Sequence, residues 1–459
     1  MSGQLPQPQP RLRRAMLISA ALLTAASLLR YTAGAGASEQ DTGINPHPMR
    51  LMRPQDKPLT AVALLGKQIF FDPALSASGK QSCSSCHSPE HEYGPTGSAS
   101  VLEGGRTGTT QGGRAVPSLR YLYRTPNFSI GPDDFGNETV NVVQLAGKYA
   151  GSSHQQKTVG SAASAVAMVP QGGLFWDGRV NTLEAQAMGP LLNPVEMANE
   201  DVVSVAEKLR KAAYAAGFTR LFGPAILDSP GRLVDESMFA VARYEVEDPS
   251  FHPYSSKYDY WLEGRARLTD AELRGLKLFE DKDKANCAGC HLDRPGKDGL
   301  PPMFTDFQYE ALGVPRNAGL KVNANPRYFD LGLCGPVRVD IKADTQYCGM
   351  FKTPSLRNTG TRKVFFHNGF YHDLKDVMAF YAFRDTNPEK IYPRGHDGRV
   401  ERFDDVPKAY LKNVDVTDPP FDRKPGGTPA MTAADMQDII AFLGALTDGY
   451  RPETQAAVH

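Results

Sequence analysis

An excess of charge of either sign is missing from this sequence, in which 51 lysines and arginines are balanced by 51 aspartates and glutamates. Zero net charge removes the electrostatic grounds for nucleic acid, or an anionic membrane surface, as a partner. Long apolar runs are missing too, except from Ala15 to Leu29, and that run is shorter than the roughly 20 residues a membrane-spanning helix needs. Arg11, Arg13 and Arg14 precede it and the small residues of TAGAGASEQ follow it, the order of an export signal with A-x-A cleavage. We therefore expect residues 1–37 to be a signal peptide and the mature chain to begin near Ser38, in the periplasm and not as an integral membrane protein. Tryptophan is scarce at two residues, and cysteine, at six, is too sparse for a pair of four-cysteine zinc sites.

Four of those cysteines stand in two identical frames, CSSCH (Cys83, Cys86, His87) and CAGCH (Cys287, Cys290, His291). This is the c-type haem attachment sequence. Two thiols must reach the two vinyl groups on one side of a porphyrin while the adjoining histidine turns its imidazole to the iron. Two covalently bound c-type haems are the expectation. Cys334 and Cys348 lie outside both frames, and in an oxidising compartment a disulfide between them is worth roughly 3 kcal/mol in the chain-entropy account.

Glycine and proline are plentiful, 43 and 35, which favours loops and short helices over long regular elements. An internal repeat divides what remains: GKQIFFDP precedes the first haem frame and GLKLFEDK the second, both reading G-x-x-[IL]-F-x-D. Thr269 and Glu272 form a capping box that starts a helix through Leu276 and Phe279. A last helix from Thr432 to about Leu446 carries Ile439, Ile440, Phe442, Leu443 and Leu446 on one face, and should pack across the start of the second half. The expected fold is mostly α: two cytochrome c-like haem domains, 38–250 and 251–459, packed against each other. Long loops and a large insertion in the first, Leu122 to Gln171, complete it.

HNGFYHDLKDVMAFY, residues 367–381, presents His367, Tyr371, His372, Met378 and Tyr381 as possible iron ligands. From Asp373 onward Leu374, Val377, Met378 and Tyr381 repeat on one helical face. Periodicity alone leaves Met378 and Tyr381 equivalent.

In the first half, His87 has no methionine or histidine in a distal motif to oppose it, so its iron is expected to keep an open sixth position. Splitting a peroxide bound there needs a base for one oxygen and an acid for the other. Glu196, set among Leu191, Leu192, Pro194 and Met197, is a carboxylate whose apolar setting suits a raised pKa and that shuttle.

GGRAVPSL (112–119), FWDGRV (175–180), EAQAMGPLLNPVEM (184–197), LTDAELRGLKLF, CAGCH, FKTPSLRN and FHNG follow one another in this order. Here the chain resembles the bacterial di-haem cytochrome c peroxidase and MauG superfamily. The resemblance implies that Glu196 is the distal acid-base residue and that Gln186 holds peroxide or water over the iron. Pro190 would crowd the distal face, and Trp176 would lie between the haems as an electron relay. It also implies one calcium ion held by carbonyls near Thr353 and Pro354, although the asparagine expected after Arg114 is Ala115. The loop GGRTGTTQGGR lacks the histidine that closes the first iron in some relatives, and His91 is the nearest alternative. His367 is expected to bond a haem propionate or backbone. Register on Leu374 and Asp376 places Tyr381 in the ligand column of the second iron, as in the MauG-like branch, with Met378 as the alternative.

The implied activity is that of a periplasmic di-haem peroxidase-type oxidoreductase. It would react with hydrogen peroxide at the open first haem, form a high-valent di-haem state and oxidise a protein partner. In the alternative it would reduce peroxide to water with electrons from a small cytochrome c or cupredoxin. The tryptophan that MauG carries two residues before its second attachment frame is here Ala285, so a different exit route for oxidising equivalents, or a different partner, would be needed.

Overall fold

The structure, a computed structural model, describes residues 43–132 and 168–452. The expected signal peptide and most of the insertion between Leu122 and Gln171 lie outside the described residues.

Helices carry the two cores. In the first, Ala61–Phe70 crosses Pro230–Glu247, flanked by Leu183–Leu192, Val202–Lys211 and Ala215–Phe222. Leu65, Ile69, Phe70, Leu209, Val241 and Tyr244 close it, and Cys83 packs against its edge. In the second, Asp270–Glu280 crosses Ala433–Gly444, and Leu276, Phe279, Phe304, Met378 and Phe442 interlock with Cys287 at the rim. Capping residues start these helices: Thr269, read as a cap from the sequence, accepts from the Glu272 amide, Thr432 from that of Asp435, and Asp373 from that of Lys375 at the head of Leu374–Phe383. Each oxygen satisfies an amide that the first helical turn leaves without an intrahelical partner.

Strands are few and short among the described residues, all as antiparallel pairs: Glu103–Gly104 with Thr110–Gln111, Ser129–Pro132 with Met168–Gln171, and Tyr309–Glu310 with Phe351–Lys352. The mostly helical architecture is the expected one. Cys334 and Cys348 are bonded, with Cα atoms 4.9 Å apart, and staple the segment that precedes Phe351.

Segment 112–125 is clasped to the second core by buried ions. Asp448 accepts from Arg120, from Tyr121 Oη at 2.8 Å and from Asn358 Nδ2 at 2.7 Å. Arg357, almost fully buried, grips Asp259 with two bonds of 2.6 and 3.0 Å. Such a pair contributes little when intact but costs about 3–5 kcal/mol when one partner is removed, so it fixes geometry more than it adds stability.

Candidate active site

Both attachment frames fold alike. Cys83–Cys86 is a single helical turn that ends at His87, whose Nδ1 bonds the Tyr93 carbonyl at 3.0 Å. Cys287–Gly289 is a 3-10 turn before Cys290 and His291, whose Nδ1 bonds the Phe304 carbonyl at 3.0 Å. A carbonyl accepts only from N–H, so each Nδ1 carries the proton and each Nε2 keeps its lone pair. Burial pushes both imidazoles down to about 4, which holds them neutral and ready to ligate. The thiols of Cys83 and Cys86 are pushed up by burial to about 12 and about 11, and that of Cys287 to about 12. None of the four is in a disulfide.

Beside the second frame lies a cavity of about 390 Å³ whose wall includes Cys287, Cys290, His291, Met378 and Tyr381, and which extends to Trp176 and Gln186. Its lining carries charges of both signs, and two of the cations, Arg362 and Lys352, suit the anionic arms of a flat apolar group. Among the described residues Arg362 donates only to the Val116 and Val364 carbonyls, and burial pushes it down to about 10. Lys352 bonds the Gly173 carbonyl, and burial pushes it down to about 8. A buried cation is costly unless it is paired; Lys352 has Asp177 as an electrostatic neighbour, and Arg362 is suited to a propionate of a haem. His367 stacks on Phe351 with ring centres 3.5 Å apart, and its Nε2 has no partner.

The segment 367–381 is thereby sorted. His372 is exposed and meets Ser100 at 3.3 Å. Tyr371 packs with Phe365 and Phe380 in a separate small cluster. His367, Met378 and Tyr381 reach the cavity. Met378 is 4% exposed and part of the second core, whereas Tyr381 stacks on Phe421 at 5.4 Å and has Cys287 and Cys290 as electrostatic neighbours. Burial raises its phenol above the ordinary range.

Glu196 sits in a tight turn after Leu183–Leu192, where Asn193 Nδ2 donates to its Oε1 at 2.6 Å and the Gly105 amide to its carbonyl at 2.7 Å. A Cβ on Gly104 would lie 2.4 Å from the Val195 carbonyl, so the turn depends on that glycine. Burial raises the Glu196 carboxyl, with Arg179 and the Asn193 bond opposing it, and its charge is felt at Cys83 and Cys86. Glu196 thus stands near the first frame. Gln186 and Pro190 lie one turn apart on the helix that leads to it, and Gln186 lines the cavity. His91 is exposed.

Trp176 is pinned between the halves: its Nε1 donates to the Ala115 carbonyl at 2.8 Å, and its own carbonyl accepts from the Lys352 amide at 2.9 Å. Arg114 anchors the same corner, bonding Asp330 at 2.6 and 2.8 Å and Asp177 at 2.7 Å. Near the expected calcium position the Thr353 carbonyl accepts from Thr305 Oγ1 at 2.7 Å and that of Ala115 from Trp176, which leaves each a second lone pair.

Sequence reasoning missed Arg362 and Lys352, single basic residues with no motif of their own, and Glu245. This glutamate is 4% exposed, its Oε2 has no hydrogen-bond partner among the described residues, and its charge is felt at Cys83. Burial, aided by Glu184, pushes it up to about 8. A folded-state pKa above the unfolded one means that the folded protein keeps a proton the unfolded chain has released. The stability it confers is complete below about pH 4.5 and is lost as pH rises through about 8, a change of a few kcal/mol. The unfolding temperature of the holoprotein should fall across that window and flatten in Glu245→Gln; equal slopes would disprove the assignment.

A family model described as di-haem cytochrome c peroxidase matches residues 60–267. Over 351 residues, 74% of this chain and 79% of the relative, the sequence is 34% identical to methylamine utilization protein MauG of Paracoccus denitrificans. It is 26% identical to cytochrome c551 peroxidase of Nitrosomonas europaea over 368 residues, 80% of this chain and 84% of the relative. Among solved structures, the diheme peroxidase BthA from Burkholderia thailandensis E264 superposes with a TM-score of 0.72 at 36% identity, covering 87% of this chain and 89% of that one.

Proposed function

This chain belongs to the di-haem cytochrome c peroxidase/MauG family, and from that membership we propose that it takes oxidising equivalents from hydrogen peroxide and delivers them to a protein partner in the periplasm. Its class is that of a di-haem peroxidase. Bound at the two frames, the haems supply the redox chemistry that cleaves peroxide and retains its two oxidising equivalents.

The chain's own residues set the conditions. His87 and His291 each offer a neutral Nε2, oriented by the bond at Nδ1. Glu196 takes a proton from the nearer peroxide oxygen and returns it to the departing one, and Gln186 orients the molecule while Pro190 narrows the space around it. Trp176, fixed from both sides, is suited to pass electrons between the halves. Arg362 and Lys352, both in the cavity wall, would hold the propionates. No helix among the described residues is long and apolar enough to cross a membrane.

The observation that supports the reading is the setting of Tyr381, which lines the cavity with Cys287 and Cys290 as electrostatic neighbours; Met378 lines the same cavity, and both pack on the second core. A phenolate is a hard anion that favours oxidised iron, whereas a thioether favours the reduced state and the uptake of electrons from a small donor. Because Met378 also touches the cavity, the alternative of a peroxidase fed by a small cytochrome c or cupredoxin keeps a structural basis. Optical and electron paramagnetic resonance spectra of the ferric protein separate the two. Tyr381→Phe should perturb the low-spin haem and Met378→Leu should leave it unchanged; the reverse pattern would favour the alternative.

A further inference from the structure

Delivery to a partner requires a path from a buried cavity to the surface. We propose that Tyr121, Tyr254 and Tyr123 form a relay that carries oxidising equivalents from the haem cavity to a one-electron donor at the Tyr123 edge; this deepens, and rests on, the reading above.

Tyr121 is 2% exposed and lines the cavity. Its ring centre is 4.8 Å from that of Tyr254, which is wholly buried, and Tyr254 Oη is 2.8 Å from Oη of the half-buried Tyr123. The inner end is tied to the second frame, since Arg357 stacks on Tyr121, Tyr254 and Phe304, and the Phe304 carbonyl receives the His291 bond. Electron tunnelling weakens exponentially with distance, so two short steps between easily oxidised rings outrun one long step. A third observation is strain. Tyr121 and Tyr254 both adopt left-handed backbone, φ 65° and 46°, a region unfavourable for aromatic residues. They are locked together by a bond of 3.0 Å from the Tyr254 amide to Tyr121 Oη. The fold thus holds two tyrosines in an unfavourable conformation where they bridge cavity and surface.

The proton inventory closes. Tyr121 donates to Asp448 Oδ2 at 2.8 Å, so when it gives an electron to the oxidised haem its hydroxyl proton shifts to that carboxylate. The hydrogen-bonded pair of Tyr254 and Tyr123 then returns one electron to Tyr121, the proton comes back from Asp448, and the pair releases the Tyr123 hydroxyl proton to solvent. The donor reduces Tyr123, and solvent restores its proton. Two passages supply the electrons for H₂O₂ + 2 e⁻ + 2 H⁺ → 2 H₂O, and the donor is oxidised by two electrons.

The test uses the di-haem holoprotein, peroxide and a nitroso spin trap, with trapped tyrosines located by mass spectrometry and the haem spectrum followed in parallel. In wild type the trap should mark Tyr123. In Tyr254→Phe, which keeps the ring but loses the hydroxyl pair, that mark should be lost while haem content, unfolding temperature and the haem response to peroxide stay as in wild type. An undiminished mark on Tyr123 in this variant overturns the relay. A wild type whose haems respond to peroxide but whose Tyr123 is never marked overturns it as well and leaves the proposed function standing. A wild type whose haems do not respond at all overturns both.

Discussion

Replacing Glu196 with glutamine should slow the reaction of the holoprotein with hydrogen peroxide by ~10²-fold or more, the usual scale for a positioned acid-base group. The substitution keeps the volume of the side chain and an oxygen for the 2.6 Å bond from Asn193, but it cannot accept and return a proton. Burial raises the wild-type carboxyl, and Arg179 and Asn193 oppose it, so the group regains a proton more readily than an exposed glutamate. In the proposed reaction its first task is that of a base, and the rate should therefore fall as pH drops through its raised pKa. In Glu196→Gln that acid limb should disappear along with most of the rate. Stopped-flow recording of the haem spectrum across pH decides the matter. A variant within a few-fold of wild type, with its acid limb intact, would place the proton shuttle on another residue.

What the sequence revealed, and what it hid, follows from the range of the interactions involved. The helices at Asp270–Glu280, Leu374–Phe383 and Ala433–Gly444 announce themselves because capping oxygens and apolar spacing act within a few residues. The attachment frames are equally local, since one porphyrin edge sets their spacing. The mostly irregular stretch from about residue 293 to 373 is different. It is held by side chains that bond backbone far along the chain: Arg357 Nε to the Pro302 carbonyl at 2.7 Å, Asn368 Nδ2 to that of Pro315 at 2.9 Å, and Arg384 Nη1 to that of Leu312 at 3.0 Å. No periodicity records such bonds. For the same reason Arg362 and Lys352 read as surface cations until the fold encloses them, and His367 separates from His372 only through a loop in which Phe366 and Gly369 turn left-handed. Family order named Glu196, Gln186 and Trp176, and the packing supplies what order cannot, namely the burial that raises Glu196 and the bonds that pin Trp176.

The internal repeat leads to the other large expected effect, in which Gly66→Ala and Gly275→Ala each destabilise the protein. Both glycines open the G-x-x-[IL]-F-x-D pattern and both lie inside a helix, where alanine is ordinarily better by about 1 kcal/mol. Here each marks a point where two helix backbones touch. A Cβ on Gly66 would stand 1.8 Å from the Ala240 carbonyl oxygen, and one on Gly275 would stand 2.0 Å from that of Asp438. Neither obstacle is a side chain that can swing aside, so a whole helix must move off the core that Phe70 or Phe279 fills. Overpacking of this kind costs about 3 kcal/mol and outweighs the propensity gain, for a net loss of ~2 kcal/mol. Gly444, where an added Cβ meets nothing within 4 Å, is the control, and alanine there should be neutral or stabilising by up to ~1 kcal/mol. Thermal unfolding of the three variants ranks them, and a more stable Gly275→Ala would refute the close crossing. Because the Gly275 crossing packs against the turn that bears Cys287 and His291, its loosening should also appear as a shifted spectrum of the second haem, whereas Gly66→Ala should disturb the first. The repeat is therefore a statement about geometry: each half spends its glycine on bringing two helices close enough to present an attachment frame at their edge.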